Sequence, residues 1–531
     1  MKRIFLSLLA GLLLLTSQGL SAQDASFYWK YANKGDKDAM YKLAECYFYG
    51  TGGVETNYSA ALDWFEQAAK KGSLESQFMA AYCYFYGLGT SENFMITGMK
   101  LMNKAQKSNY APAHWLAAQY WSAQGQRSLY LSNLKKAALG NYGNAQAEYG
   151  LLYLYGSDEY GITQDIPTGV SWLSKAVQYN NAEAMYHLGL CYEVGASVMK
   201  DFNKALEYYN SSANLGNADA QARMGTAYLI GEGVETDYKT AYQYFALAAQ
   251  QGNASAYANI GDIYYYGLGV EENNNTAIDM YKNAANLGNA YAMTMLAEMY
   301  ETGRGASKDY NLMYKYYKQA ADLNYAPGIT GLAGCYRYGY GVVKDETYAF
   351  NLYKKAAESD YADAIYELAY CYLEGKGVYA NPAKYIELLE KAANMGHTLA
   401  KSDLGYEYYT GEYISSGSNL TKAVKWLKEA AKEGDVYSQS YLGYSYYSGS
   451  ELVSYKDYEQ AFEYLLATIN NQDFISLSDE VKALVCRSLS SCYRYGRGCD
   501  EDQSLASYFT ELAAKYGDEG SQKVTSIIRR D

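Results

Sequence analysis

Tandem pairs of α-helices stacked into a right-handed α/α solenoid follow from three features of this 531-residue chain. A block of about 36 residues recurs in register across nearly its whole length. Within each block small and apolar residues fall at helical intervals. Glycines, and then Asp or Asn, punctuate the same places in block after block. A period of this length means that each unit buries its apolar face only against its neighbours. The length alone suggests several globular domains, and the repeat replaces that expectation with one extended domain.

The elements come in order. Lys2 and Arg3 precede an apolar run, Ile4 to Leu15, and a small polar stretch, Thr16 to Ala22. This is the pattern of a signal peptide over 1–22, cleaved between Ala22 and Gln23. The run is too short to span a bilayer, and no second one follows. No cysteine lies near the cleavage site to carry a lipid. Export is therefore expected, with periplasm and exterior both open. Phe27–Lys34 resembles the second half of a unit, and 23–34 is expected to be an N-terminal capping helix. Twelve repeats occupy 35–471, opening at Gly35, Gly72, Asn109, Asn141, Asn180, Gly216, Gly252, Gly288, Asn324, Asp360, Gly396 and Gly434. A divergent repeat with an insertion fills 472–516, and a C-terminal capping helix is expected over 517–531. About 13 units thus lie between half-repeat caps.

In each first helix an Ala (Ala39, Ala184, Ala364) is followed four residues on by an apolar residue (Leu43, Leu188, Leu368). Ala or Gly comes next, and three further on stands an aromatic, Tyr47, Tyr192 or Tyr372, replaced once by Trp121. These share one helix face, on which the small residues admit a neighbouring helix and the ring packs. The helix stops at Gly, as at Gly231 or Gly375, because glycine closes a helix in the left-handed conformation. A second Gly and a Val follow, as in Gly233-Val234 and Gly377-Val378, the Val plugging the loop from below. The second helix opens on Asn57, Asn93, Asp165, Asp201, Asp237, Asn273, Asp309, Asp345, Asn381, Asn419, Asp457 or Asp502, the residue types that cap helix N-termini. Part of the acidic excess is therefore structural. No spacing of an EF-hand calcium loop occurs.

The order A-xxx-L-[AG]-xx-Y-xx-G-x-G-V-xx-[DN]-xxx-A-xx-[WY]-[YF]-xx-AA-xx-G resembles the Sel1-like repeat, a relative of tetratricopeptide repeats, over about residues 27–530. The resemblance implies α/α solenoids that serve as adaptors for protein complexes, among them exported bacterial members. Two places depart from it. The unit at Asn109 has Gln124-Gly125-Gln126 where the Gly-x-Gly loop belongs and is shortened to 32 residues. About nine extra residues enter near Asn470–Glu480. Each is read as a decayed repeat, a bend or a partner site.

The formal net charge is −13 and becomes −15 without Lys2 and Arg3, which argues against nucleic acid and favours neutral or basic partners. Cys46, Cys83, Cys191, Cys335, Cys371 and Cys492 share one position, just before the repeat aromatic, that holds Ala227, Ile263 or Met299 elsewhere. That is a small buried slot, so no disulfides are expected there. Cys499 takes the loop Val position, and Cys486 lies off the pattern; these two alone are candidates to pair. Some exported relatives staple each repeat with two cysteines and are associated with β-lactam binding or hydrolysis. Ser132 with Lys135 and Ser197 with Lys200 match S-x-x-K, but neither S-D-N nor K-T-G accompanies them. His114, His187 and His397 are too far apart in register for a metal cluster or a triad. No enzyme activity, metal or cofactor is expected.

Tyrosine occurs 65 times. Beyond the repeat aromatic, rings gather two residues before it (Tyr82, Tyr370, Tyr406, Tyr444) and two after it (Tyr49, Tyr86, Tyr155, Tyr266, Tyr338, Tyr495). Positions four apart form one helical stripe. First helices of helical repeats line the concave surface, so the stripe is a candidate groove for a protein or peptide segment of the cell envelope; rings packed between units are the alternative. Tyrosine suits recognition because it offers area and a hydroxyl at little rotamer cost. Stacking on an envelope glycan such as peptidoglycan is the other binding reading, and β-lactam chemistry rests on the resemblance alone.

Overall fold

The computed structural model describes residues 24–90 and 95–518. The expected signal peptide, the Asn93 cap and most of the 517–531 segment lie outside the described residues. Among the described residues helix follows helix from Ala25–Ala32 to Gln503–Lys515, joined by one 3₁₀ turn, Gln472–Ser476, and a lone bridge between Ser157 and Ile162. The chain is an all-α solenoid of tandem helix pairs. Most helices have 13 residues, about 20 Å of rise. Helices so short are marginal alone in water, so burial between neighbours holds them.

The helices group into two compact units, Met1–Leu287 and Gly288–Asp531. Within each unit the two helices of a pair pack together, and each second helix packs on the next first helix. Consecutive first helices also touch directly, as Ala218–Ile230 does with Ala254–Tyr266 in the first unit and Ala326–Tyr338 does with Ala362–Glu374 in the second. Consecutive second helices scarcely touch. The first helices therefore form the inner layer of each unit.

Eleven of the twelve expected second-helix caps are described, and each accepts a backbone N–H two or three residues on; Asp237, for instance, accepts from Lys239 and Thr240 at 3.0 and 3.1 Å. The same residues make a second bond. Their own N–H donates to the carbonyl of the repeat aromatic at the end of the first helix, as Asp201 to Tyr192 (2.9 Å) and Asn381 to Tyr372 (2.8 Å). One residue thus caps one helix and ties it to the other. The repeat aromatic often stacks on a ring of the second helix, as Tyr228 on Tyr244 (5.9 Å) and Tyr300 on Tyr316 (5.9 Å).

Small first-helix residues admit the ring at the next second-helix position. A Cβ on Gly261 would meet the Tyr281 ring at 2.5 Å. The second loop glycine has a different reason: Gly377 has φ +74°, and a Cβ there would lie 2.2 Å from the Glu346 carbonyl oxygen of the preceding second helix. Val234 and Val378 are half-buried beneath their loops, packed on the core of their own repeats.

Both departures fold. The unit at Asn109 forms helices Ala111–Ala123 and Arg127–Leu139 on a three-residue turn. The insertion becomes the Gln472–Ser476 turn, which buries Phe474, and a longer helix, Asp479–Tyr495. All eight cysteines are thiols, seven of them buried, with Cys499 half-exposed. Burial raises the thiols, Cys83 and Cys335 to about 12 and Cys371 to about 11.

Candidate functional site

The ten tyrosines singled out by spacing fall into three environments. Tyr155, Tyr266, Tyr338, Tyr406 and Tyr495 are 54–59% exposed. Tyr49, Tyr86, Tyr370 and Tyr444 are half-buried. Tyr82 is 1% exposed and belongs to the core, its ring 4.5 Å from Tyr86 and its hydroxyl without a hydrogen bond. The stripe is therefore not uniform. Four of the five open rings sit two residues after the repeat aromatic, where the first helix ends.

Each ring has its own neighbours. In the first unit Tyr155 reaches His187 Nδ1 (2.9 Å) and Tyr266 meets Tyr265 edge-on (4.8 Å). In the second, Tyr338 stacks on Tyr340 (5.7 Å) beside the Arg337 guanidinium (5.4 Å), and Tyr495 lies by Arg497 (5.1 Å). Tyr370 donates to Asp403 (2.8 Å).

Carboxylates paired with phenols or cations run along the same inner layer, a feature spacing did not single out. Glu148 accepts from Trp115 Nε1 (2.9 Å), Gln119 Nε2 and Tyr130 Oη (both 2.8 Å), and burial still raises its carboxyl. Tyr281 donates to Asp262 (2.6 Å). Glu193 holds Arg223 (2.9 Å) and the Tyr209 hydroxyl. Glu367 and Glu374 share Arg337 (2.6 and 2.7 Å). Glu407 is the one carboxylate in the slot just before the repeat aromatic, which elsewhere holds Cys, Ala, Ile, Met, Leu152, Ser445 or Tyr120. It is 7% exposed, accepts from Tyr385 (3.3 Å), and keeps its other oxygen without a partner. Tyr385 in turn occupies the position of Ala241, Ala277 and Ala349 in other repeats. Reading the repeat columns for size and polarity would have exposed this pair.

The residues weighed for catalysis do not converge. Ser132 and Lys135 are exposed on one helix, and Ser197 and Lys200 are exposed in a loop, with Ser197 at φ +56°. His114 is bound by Gln106 and Asn133 (both 3.2 Å), His187 by Tyr155 and Glu183, and His397 accepts the Ala400 N–H (3.0 Å) as a helix cap. No three metal-ligating side chains come together among the described residues. No described helix is long and apolar enough to cross a membrane. The arrangement offers a surface of rings, hydroxyls and carboxylates suited to holding a partner.

The Sel1 repeat profile matches 37–73, 74–108, 143–178, 182–217, 218–253, 254–289, 290–325, 326–361, 362–397, 398–435, 436–472 and 483–518. The chain belongs to the Sel1 repeat family. Among the stretches without a match, 109–142 is the unit that lacks the Gly-x-Gly loop, and it nonetheless folds as a helix pair. Sel1 repeat proteins generally act as scaffolds for protein–protein interaction. Among solved structures the chain is similar to a protective antigen of uropathogenic Escherichia coli displaying an SLR fold, at 24% identity over 93% of this chain and 96% of that one, TM-score 0.49. It is similar to a Sel1 repeat protein from Oxalobacter formigenes at 30% identity over 46% and 98%, TM-score 0.42. An immunity protein from Pseudomonas aeruginosa matches at 20% identity over 40% and 83%, TM-score 0.29. No curated protein matches the chain significantly.

Proposed function

We propose that this Sel1 repeat protein is an exported, non-enzymatic adaptor that holds a protein or peptide segment against its first helices. One observation carries the reading: tyrosines at one repeat position, Tyr155, Tyr266, Tyr338 and Tyr495, each leave more than half of the ring in solvent, and Tyr406 adds another nearby. A packing ring has no need to be open, whereas a recognition ring does. The charged run and apolar core of residues 1–22 support export, and the net charge of −13 favours basic or neutral segments.

The test is a crosslinked pull-down from intact cell envelopes and from culture medium. It compares the parent with a variant carrying Tyr155, Tyr266, Tyr338, Tyr406 and Tyr495 as alanine, after circular dichroism shows that both fold. A discrete protein captured by the parent and lost by the variant is the expected result. Retention on envelope polysaccharide without a protein partner would replace the proposal by glycan binding. Turnover of a chromogenic β-lactam by the parent would overturn the non-enzymatic part.

A further inference from the structure

In the second unit two cations are held by carboxylates along the inner layer and beside it. Arg337 serves Glu367 and Glu374, and Lys401 is bound to Glu433. Asp403 and Glu407, one turn apart on the helix Thr398–Thr410, have none among the described residues. The hydroxyls of Tyr366 and Tyr370 both donate to Oδ2 of Asp403 (2.9 and 2.8 Å), and no bond among the described residues engages Oδ1. One turn on, Glu407 takes the Tyr385 hydroxyl on Oε1 (3.3 Å) while Oε2 is buried and unpartnered. Four rings surround the two acids: Tyr366 lies 5.1 Å from Tyr370, Tyr370 5.8 Å from Tyr385, and Tyr385 6.0 Å from Tyr413.

The nearby bases do not fill the gap. Lys422 donates to the Tyr408 hydroxyl (3.1 Å). His397 stacks on Tyr366 (4.4 Å), spends Nδ1 on the Ala400 N–H, and has Nε2 3.5 Å from Asp363. Burial lowers its pKa below the usual imidazole value, so it is neutral at pH 7. Asp363, Asp435 and Glu412 add negative charge around the pair. A buried carboxylate with an idle oxygen is costly unless a cation or donor arrives, and phenol faces attract a cation as well.

We propose that Asp403 and Glu407, framed by Tyr366, Tyr370, Tyr385 and Tyr413, are the receptor for one basic side chain, lysine or arginine, of the segment that the adaptor holds. The inference rests on the adaptor reading and gives that partner its chemistry. Asp403, half-buried, is the first contact, accepting the ammonium or guanidinium on Oδ1. Glu407, one turn on and more deeply buried, adds its charge when the arriving cation drives its proton to solvent. Tyr406, exposed on the same helix, covers the aliphatic stem.

The experiment uses the full mature chain and three fluorescent nonapeptides, Gly-Ser-Gly-Ala-X-Ala-Gly-Ser-Gly with blocked ends, X being lysine, arginine or norleucine. Anisotropy at low salt is expected to show the lysine and arginine peptides binding at least about tenfold more tightly than the norleucine peptide. In the near-isosteric variant Asp403→Asn/Glu407→Gln that preference is expected to fall below about threefold. A variant with the same change in net charge elsewhere, Glu480→Gln/Glu511→Gln, should keep it. Equal binding of the three peptides by the parent, survival of the preference in Asp403→Asn/Glu407→Gln, or its loss in both variants would overturn the receptor. The adaptor reading is judged apart from this: a partner lost by the five-tyrosine variant but held undiminished by Asp403→Asn/Glu407→Gln overturns the receptor alone.

Discussion

A carboxylate in a slot built for a thiol or a methyl group titrates against the fold. Burial pushes Glu407 up to about 7; the Tyr385 hydrogen bond opposes this, and the charges of Glu412 and Asp403 add to it. In the unfolded chain the group titrates near 4.3. The folded state therefore holds this proton over a range in which the unfolded state has released it. The resulting destabilisation is absent below about pH 4, grows as pH rises, and is complete above pH 7. Glu407→Gln removes that titration. It should melt roughly 5–15 °C above the parent at pH 8 and level with it near pH 4; a difference that ignores pH would assign the effect to packing. Thiols at the equivalent positions behave oppositely in chemistry. Cys83, Cys335, Cys371 and Cys492 are raised by burial, so they stay protonated and inert at neutral pH. A disulfide reagent should find eight thiols in the denatured, unreduced chain, and in the native chain Cys499 should react first. Fewer than eight after denaturation would mean that a pair such as Cys486 and Cys499 is oxidised.

The helix pair depends on a few atoms at its loop. Asp237 spends its carboxylate on the second helix and its N–H on the Tyr228 carbonyl of the first. Asp237→Ala keeps the second bond and loses the first, a cost of about 1 kcal/mol. Two glycines, Gly377 in the loop of a pair and Gly396 in the turn between repeats, separate two effects. Gly396→Ala meets no atom within 4 Å and bears only its φ of +97°. Gly377→Ala adds a clash with the Glu346 carbonyl to a φ of +74°. Gly377→Ala should therefore unfold in less urea than Gly396→Ala, by about 1–3 kcal/mol more destabilisation; equal midpoints would show that the loop shifts freely. The caps and the helix stops were legible because Asp, Asn and Gly act on their own backbone within a few residues. The tie from cap N–H to the repeat aromatic was not, since backbone donors have no signature in side-chain identity.

At the scale of the molecule, stability in a stack is close to a sum of repeat and interface contributions. Unfolding need not be a single transition, and the two compact units, Met1–Leu287 and Gly288–Asp531, are natural places for it to divide. The unit at Asn109 shows how little the loop motif matters to the stack. Without Gly-x-Gly it still buries Trp115, Leu116 and Leu134 between its neighbours, because the apolar spacing of its helices survives. By itself the sequence determined the all-α class, the repeat count, the helix limits and the caps. Each of these depends on residue type repeated at fixed separation, which a periodic chain writes out many times. Only the tertiary structure decided which tyrosines are open, that Tyr82 belongs to the core, and that Asp403 and Glu407 stand together without a cation. Those outcomes turn on what the adjacent repeats place opposite each side chain, and a ring or a carboxylate reads the same in sequence whether its neighbour covers it or leaves it to solvent.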